Sequence, residues 1–279
     1  MSAVAQVELI QFGNIMFSSA LAFLYYDHLL TSGAEVRLMW CTKNRSLSKY
    51  MFLFNRYFAF FGNMFAAYSV FSSSLSISSC QSLVLYHQIF MGLTQATVAC
   101  ILTLRVYALY NHHRILLISF LGYILLGLAA TISFLINNHS KSSNITYVNP
   151  GCRNLSPDMS SAATVAAGWE GILLIDIVLF ALTMWKAHYT HLQLVNTSRI
   201  GVSLFAVVVR DGSIYFLIMA SLNLVNIITF YIPGNVNGNL SAFVGCLAVT
   251  LMSHMILGFH CCYQSIANVE ICISLESRN

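Results

Sequence analysis

Apolar positions along this chain run in long blocks, with polar residues gathered between them, instead of recurring at the spacing of a helix or strand half-exposed to water. A helix that crosses a bilayer needs about 20 predominantly apolar residues, because about 30 Å of hydrocarbon is covered at about 1.5 Å per residue. Seven windows meet this requirement: 7–26, 51–72, 83–104, 115–136, 163–185, 213–232 and 240–260. They predict seven spanning helices. The window 115–136 carries no charge, whereas 7–26 holds Glu8, Gln11 and Asn14, and 51–72 holds Asn55, Arg56 and Asn63.

Composition narrows the class. The 279 residues are 58% hydrophobic and 8% charged, against about 45–50% and about 25% in an ordinary soluble domain. A soluble globular fold is excluded, and disorder with it, since disorder needs low hydrophobicity and high net charge. An even spread of the charged side chains would put about 12 in the seven windows, but hydrocarbon selects against them. Only Glu8, Arg56, Glu170 and Asp176 lie there. The net charge of +4 is too small to imply a nucleic-acid partner.

Lys and Arg in short connections stay on the cytoplasmic side. One alternating set of segments holds Arg37, Lys43, Arg45, Lys49, Arg105, Arg114, Lys186, Arg199, Arg210 and Arg278; the other holds only Lys141 and Arg153. The expected fold is therefore an all-α integral membrane protein. It is a seven-transmembrane helix bundle over residues 1–260, N-terminus outside and C-terminus cytosolic, with a short cytosolic tail, 261–279. No basic stretch precedes the first window, which reads as a retained signal anchor in the plasma membrane or another secretory-pathway membrane.

Two further features fit this orientation. Segment 137–162 carries glycosylation triplets headed by Asn138, Asn144 and Asn154, although Asn44, Asn196 and Asn239 also head triplets, the first two on the cytosolic side. Among eight cysteines, only Cys80 and Cys152 fall in the oxidising compartment, which makes them a natural disulfide pair, with two free thiols as the alternative.

Intramembrane charges face the bundle interior, pair, or snorkel. Glu170 and Asp176 are six residues apart, about 240° around a helix, so they are not a paired acid and base. Depth alone brings Asp176 within reach of Arg56, and Glu170 within reach of His87. The bland reading is a structural ion pair or a protonated carboxyl; the sharper one is a site for an ion, proton or ligand. Asn14, Asn55, Asn63, Gln88, Gln95, Asn223 and Asn226 add amides that more often specify helix packing than bind substrate. No metalloprotease, phosphate-loop, Cys-x-x-Cys or nucleophile-elbow motif occurs, so neither an enzyme nor a cofactor is expected. His188 and His191 lack a carboxylate or cysteine to complete a metal set, and His112 and His113 read as interfacial polar residues.

The plan resembles that of G-protein-coupled receptors. Cys80 precedes Arg105, in Leu104-Arg105-Val106-Tyr107, by about seven helical turns, the separation found in that superfamily. The resemblance implies that Arg105 is a cytosolic-face signalling residue and that Cys261 and Cys262 are palmitoylation sites. Leu104 and Val106 depart from the receptor motif, and a last span without lysine excludes a retinal Schiff base.

A second resemblance is carried by Tyr25-Tyr26-Asp27-His28-Leu29-Leu30-Thr31, then Glu35, Trp40 and Asn55-Arg56-Tyr57. This block, within about 15–61, is similar to the N-terminal region of fungal multi-pass membrane proteins carrying the domain of unknown function 6533. The stretch from Arg105 to Tyr110, and Arg210-Asp211-Gly212 before Tyr215, look like that family too. The family supplies no catalytic residues. Read physically, Tyr25 and Tyr26 sit at headgroup depth, and Asp27, Glu35 and Trp40 line a cytosolic loop that either anchors to lipid or docks a cytosolic partner. The function expected is that of a receptor-like bundle, its ligand unknown, that passes an outer signal to a cytosolic protein; the alternative is a transporter or channel.

Overall fold

The computed structural model describes residues 3–41, 46–72, 76–139, 145–147, 152–154, 159–195, 201–231 and 240–276. They form seven long helices: α1 (Ala3–Glu35), α2 (Leu47–Phe71), α3 (Ile77–Leu109), α4 (Arg114–His139), α5 (Met159–Val195), α6 (Gly201–Tyr231) and α7 (Ser241–Glu276). A π-helical turn, Val36–Trp40, continues α1 without a break. Between α4 and α5, strands β1 (Ile145–Tyr147) and β2 (Cys152–Asn154) pair antiparallel, Tyr147 opposite Cys152. The hairpin packs on α3, and β2 also touches α2.

Among the described residues, five helical stretches are long and apolar enough to cross a membrane: Ser79–Leu109, Arg114–Phe134, Val165–Tyr189, Ile214–Tyr231 and Ser241–Cys262. The chain is a multi-pass membrane protein. In α2 the polar residues Asn55, Arg56, Asn63 and Ser69 share one buried face with Phe52, Ala59, Gly62 and Ala66. Phe54, Phe61, Phe65 and Tyr68 point outward. This inverts the soluble amphipathic pattern: the polar groups turn in, away from lipid, and the rings turn out.

α7 and α3 carry the largest buried shares of their apolar stretches and form the centre of the bundle. α7 packs on α1, α2, α3 and α6; α3 packs also on α2, α4 and α5; and α5 pairs closely with α6. One apolar cluster joins Leu102 and Val106 of α3, Leu179 of α5, Phe216 of α6 and Met252 of α7 with Leu38 and Met39 of the π-turn. The turn is thus folded into the bundle rather than lying over it. A second cluster, around Phe90, Trp169, Phe230 and Val244, fills the half nearer the starts of α3 and α7.

The helix starts are capped where the chain provides a hydroxyl. The Oγ of Ser46 accepts from the Lys49 amide at 3.3 Å, and that of Ser76 from the Ser79 amide at 3.3 Å. α3 and α4 join through a tight turn in which Asn111 (φ 53°) and His112 (φ 62°) both adopt left-handed backbone conformations. The His112 amide bonds the Tyr107 carbonyl at 3.1 Å, and its ring lies 5.0 Å from that of Tyr107.

Candidate functional site: a buried polar knot between α1, α2 and α7

Glu35, the last residue of α1, is 3% exposed and is the centre of the knot. Its Oε2 lies 2.8 Å from Arg56 Nε, and its Oε1 accepts from the Tyr57 hydroxyl at 2.8 Å and from Trp40 Nε1 at 3.0 Å. The π-turn makes the last contact available. An ordinary α-helix sets residues five apart about 140° away from each other, whereas the wider turn, closed by the Cys41 amide on the Val36 carbonyl, brings Trp40 round to Glu35. Arg56 is 2% exposed; its second nitrogen donates to the His28 carbonyl at 2.7 Å, and its guanidinium lies 5.8 Å from the Phe52 ring centre. Each charge is therefore met by an opposite charge and by neutral donors or acceptors, as burial requires.

Around this core the aromatic residues of the block interlock. The His28 ring packs 4.7 Å from Phe60 and 5.5 Å from Tyr57, and the Tyr25 hydroxyl donates to the Phe60 carbonyl at 3.1 Å. About two turns before Glu35 on α1, buried Asp27 meets α7: its Oδ1 lies 2.6 Å from His254 Nε2, a side chain that is 44% exposed. Met255, the next residue on α7, receives Arg105 of α3 on its sulfur.

Residues 17–61 match the sequence model of a family of unknown function (DUF6533). No curated protein matches the chain. The DUF6533 stretch contains every member of the Glu35–Arg56 knot, together with Asp27 and the His28 ring cluster; His254 reaches it from outside. What the stretch encodes is the junction of α1, the π-turn and α2, locked by buried charge. Asp27, Glu35 and Trp40 were expected to line a surface loop. Instead, Asp27 and Glu35 are buried on the last turns of α1, and Trp40 is held by Glu35.

The depth-based pairings are corrected as well. Arg56 pairs with Glu35 and not with Asp176, because α2 packs on α1, α3 and α7 while α5 packs on α3, α4 and α6. Asp176 instead accepts from Asn223 of α6 at 2.6 Å. Glu170 is exposed and accepts the Tyr231 hydroxyl at 2.6 Å, while His87 sits edge-on to Phe17, ring centres 6.1 Å apart. Depth was estimated in each case, but azimuth around the helix decides the partner. The participation of His254 went unforeseen: nothing along the chain links position 254 to position 27, and only the packing of α7 on α1 brings them together.

Cys80 is fully buried and is not among the free thiols, which are Cys41, Cys100, Cys246, Cys261 and Cys262 among the described residues. Cys261 is exposed and Cys262 half-buried. The side chains of Asn138, Asn154, Cys152, His191, Arg153 and Arg210 lie outside the described residues, as do Asn144, Lys43, Arg45, Lys141, Arg199 and Arg278 altogether. No group of three or more His, Cys, Asp or Glu that could hold a metal ion occurs among the described residues.

Proposed function

We propose that the chain is a receptor-like seven-span bundle, N-terminus outside and C-terminus in the cytosol, that passes an outer signal to a cytosolic partner through the knot. The observation that carries this reading is the convergence of α1, α2, α3 and α7 at one end of the bundle. There Glu35–Arg56, Asp27–His254 and Arg105–Met255 tie four helices together within a few residues. Among these contacts Glu35–Arg56 is a buried charge pair, and such a pair has discrete made and broken states, which a two-state relay requires. α1 and α2 complete the seven spans: the polar residues Asn55, Arg56, Asn63 and Ser69 of α2 face inward, as do Asp27, Thr31 and Glu35 in the last turns of α1. The knot then lies at the cytosolic face, and Cys261 and Cys262 are placed for acylation there. At the other face, the packing of β2 on α3 supports a Cys80–Cys152 bond, which pins the hairpin over the bundle.

The orientation has a direct test. Asn138 and Asn144 should carry glycans in a eukaryotic host, so that Asn→Gln at each removes one glycan's mass on a gel. Protease or tagging data placing Thr146 in the cytosol would overturn the assignment of faces.

The second reading, a transporter or channel, is favoured by the buried amides near Asp176. Purified protein in proteoliposomes separates the two. Ion or solute flux that is abolished by Asp176→Asn would establish transport. Absence of flux in both forms, with a cytosolic partner retained by the wild-type protein and lost on Glu35→Gln, is the outcome expected here.

A further inference from the structure

Asp176 lies in the fifth helix, 2% exposed, and among the described residues its hydrogen-bonding partner is a single amide, Asn223 Nδ2, 2.6 Å from its Oδ2. Asn223 is itself fully buried, and its Oδ1 has no partner. An ionised carboxylate out of water demands a cation or several donors, and one amide N–H is neither. Turning the Asn223 amide over does not help, since its oxygen would then face the carboxylate and its NH2 group would be left over.

Among the described residues, several charged and titratable side chains on the helices packed against α5 have partners other than Asp176. Arg105 of α3 is on Met255, Tyr110 of α3 on the Leu182 carbonyl, Tyr123 of α4 on the Gly171 carbonyl, and Tyr231 of α6 on Glu170. Cys100 and Tyr215 pack in the apolar cluster that holds Ile175 and Leu179.

One species gives the orphaned oxygen a donor. A neutral carboxyl accepts from Asn223 Nδ2 through one oxygen and donates its O–H to Asn223 Oδ1 through the other, closing a two-point acid–amide pair. We infer that Asp176 and Asn223 form a proton-binding site within the membrane, the proton itself serving as the ligand that clasps α5 to α6. Loss of the proton sets a carboxylate against an unpartnered carbonyl oxygen and pushes the two helices apart. This site is separate from the knot at α1, α2 and α7 and stands whether the protein signals or transports.

Infrared spectroscopy of the full chain in lipid nanodiscs at neutral pH tests the inference. Labelling aspartate with 13C at the side-chain carboxyl moves only the Asp bands, so no variant is needed to detect a protonated one. The expected result is one 13C-sensitive protonated-carboxyl band that is lost in Asp176→Asn and shifts to higher frequency in Asn223→Val, where the hydrogen bonds to the amide are gone. Absence of that band in the wild type, or its persistence in Asp176→Asn, would overturn the proposal. A carboxylate band at this site that responds to sodium would do so too, because a metal cation would then hold the place assigned to the proton.

Discussion

Arg56→Met should destabilise the protein by about 3 to 5 kcal/mol, the cost of leaving one member of a buried ion pair without the other. The measurement is reversible unfolding in mixed micelles, followed by the helical signal. The loss arises at Glu35, which would retain the Tyr57 and Trp40 donors but no positive charge, in a place where it is 3% exposed. Glu35→Gln should cost less than Arg56→Met, since a neutral amide accepts from Tyr57 and Trp40 without needing a cation. The decisive comparison is the double variant Glu35→Leu/Arg56→Met. It removes both charges, and apolar replacement of a buried pair is often close to neutral. It should therefore recover most of the stability lost by Arg56→Met while abolishing partner retention. Costs that simply add in the double variant would mean that the two side chains are not coupled.

Gly62→Ala should be the most damaging single methyl addition in the bundle, at about 1 to 3 kcal/mol for overpacking. A Cβ at position 62 would stand 2.0 Å from Cε2 of Phe90, a ring that is itself buried and stacked on Tyr86. Tyr86 in turn donates to the Gly62 carbonyl at 3.0 Å, so the backbone cannot retreat without losing that bond. Gly245→Ala is the informative control. Its Cβ would meet Met91 Cε at 2.6 Å, but that atom is the far end of an unbranched side chain that can swing aside. The order of costs, Gly62 above Gly245, should hold in the same unfolding assay, and Phe90→Leu should relieve Gly62→Ala. Equal costs at the two glycines would refute the packing described for α2 and α3.

The helices were legible in the sequence because hydrocarbon acts on every residue of a span at once. The window 115–136 falls within α4, and 83–104 within α3. Both helices overrun their windows, since hydropathy marks the slab of lipid and not the ends of the hydrogen-bonded ladder. The importance of the block from Tyr25 to Tyr57 was legible, and its chemistry was not. Glu35 and Arg56 are separated by a turn and half a helix, and only the π-turn, whose sequence Val-Arg-Leu-Met-Trp carries no signal for such a winding, sets Trp40 and Glu35 side by side. Asp176 is a buried carboxyl whose partner is Asn223 and not Arg56. Asn223 was visible only as one of seven intramembrane amides, and choosing among them requires knowing which face of α6 meets α5.

His254 and Met255 are neighbours in sequence, so on α7 they point about 100° apart. The first is tied to Asp27 of α1 and the second to Arg105 of α3. A rotation of α7 about its long axis would therefore move both contacts at once, so the azimuth of the central helix is fixed from two sides, by the first helix and by the third.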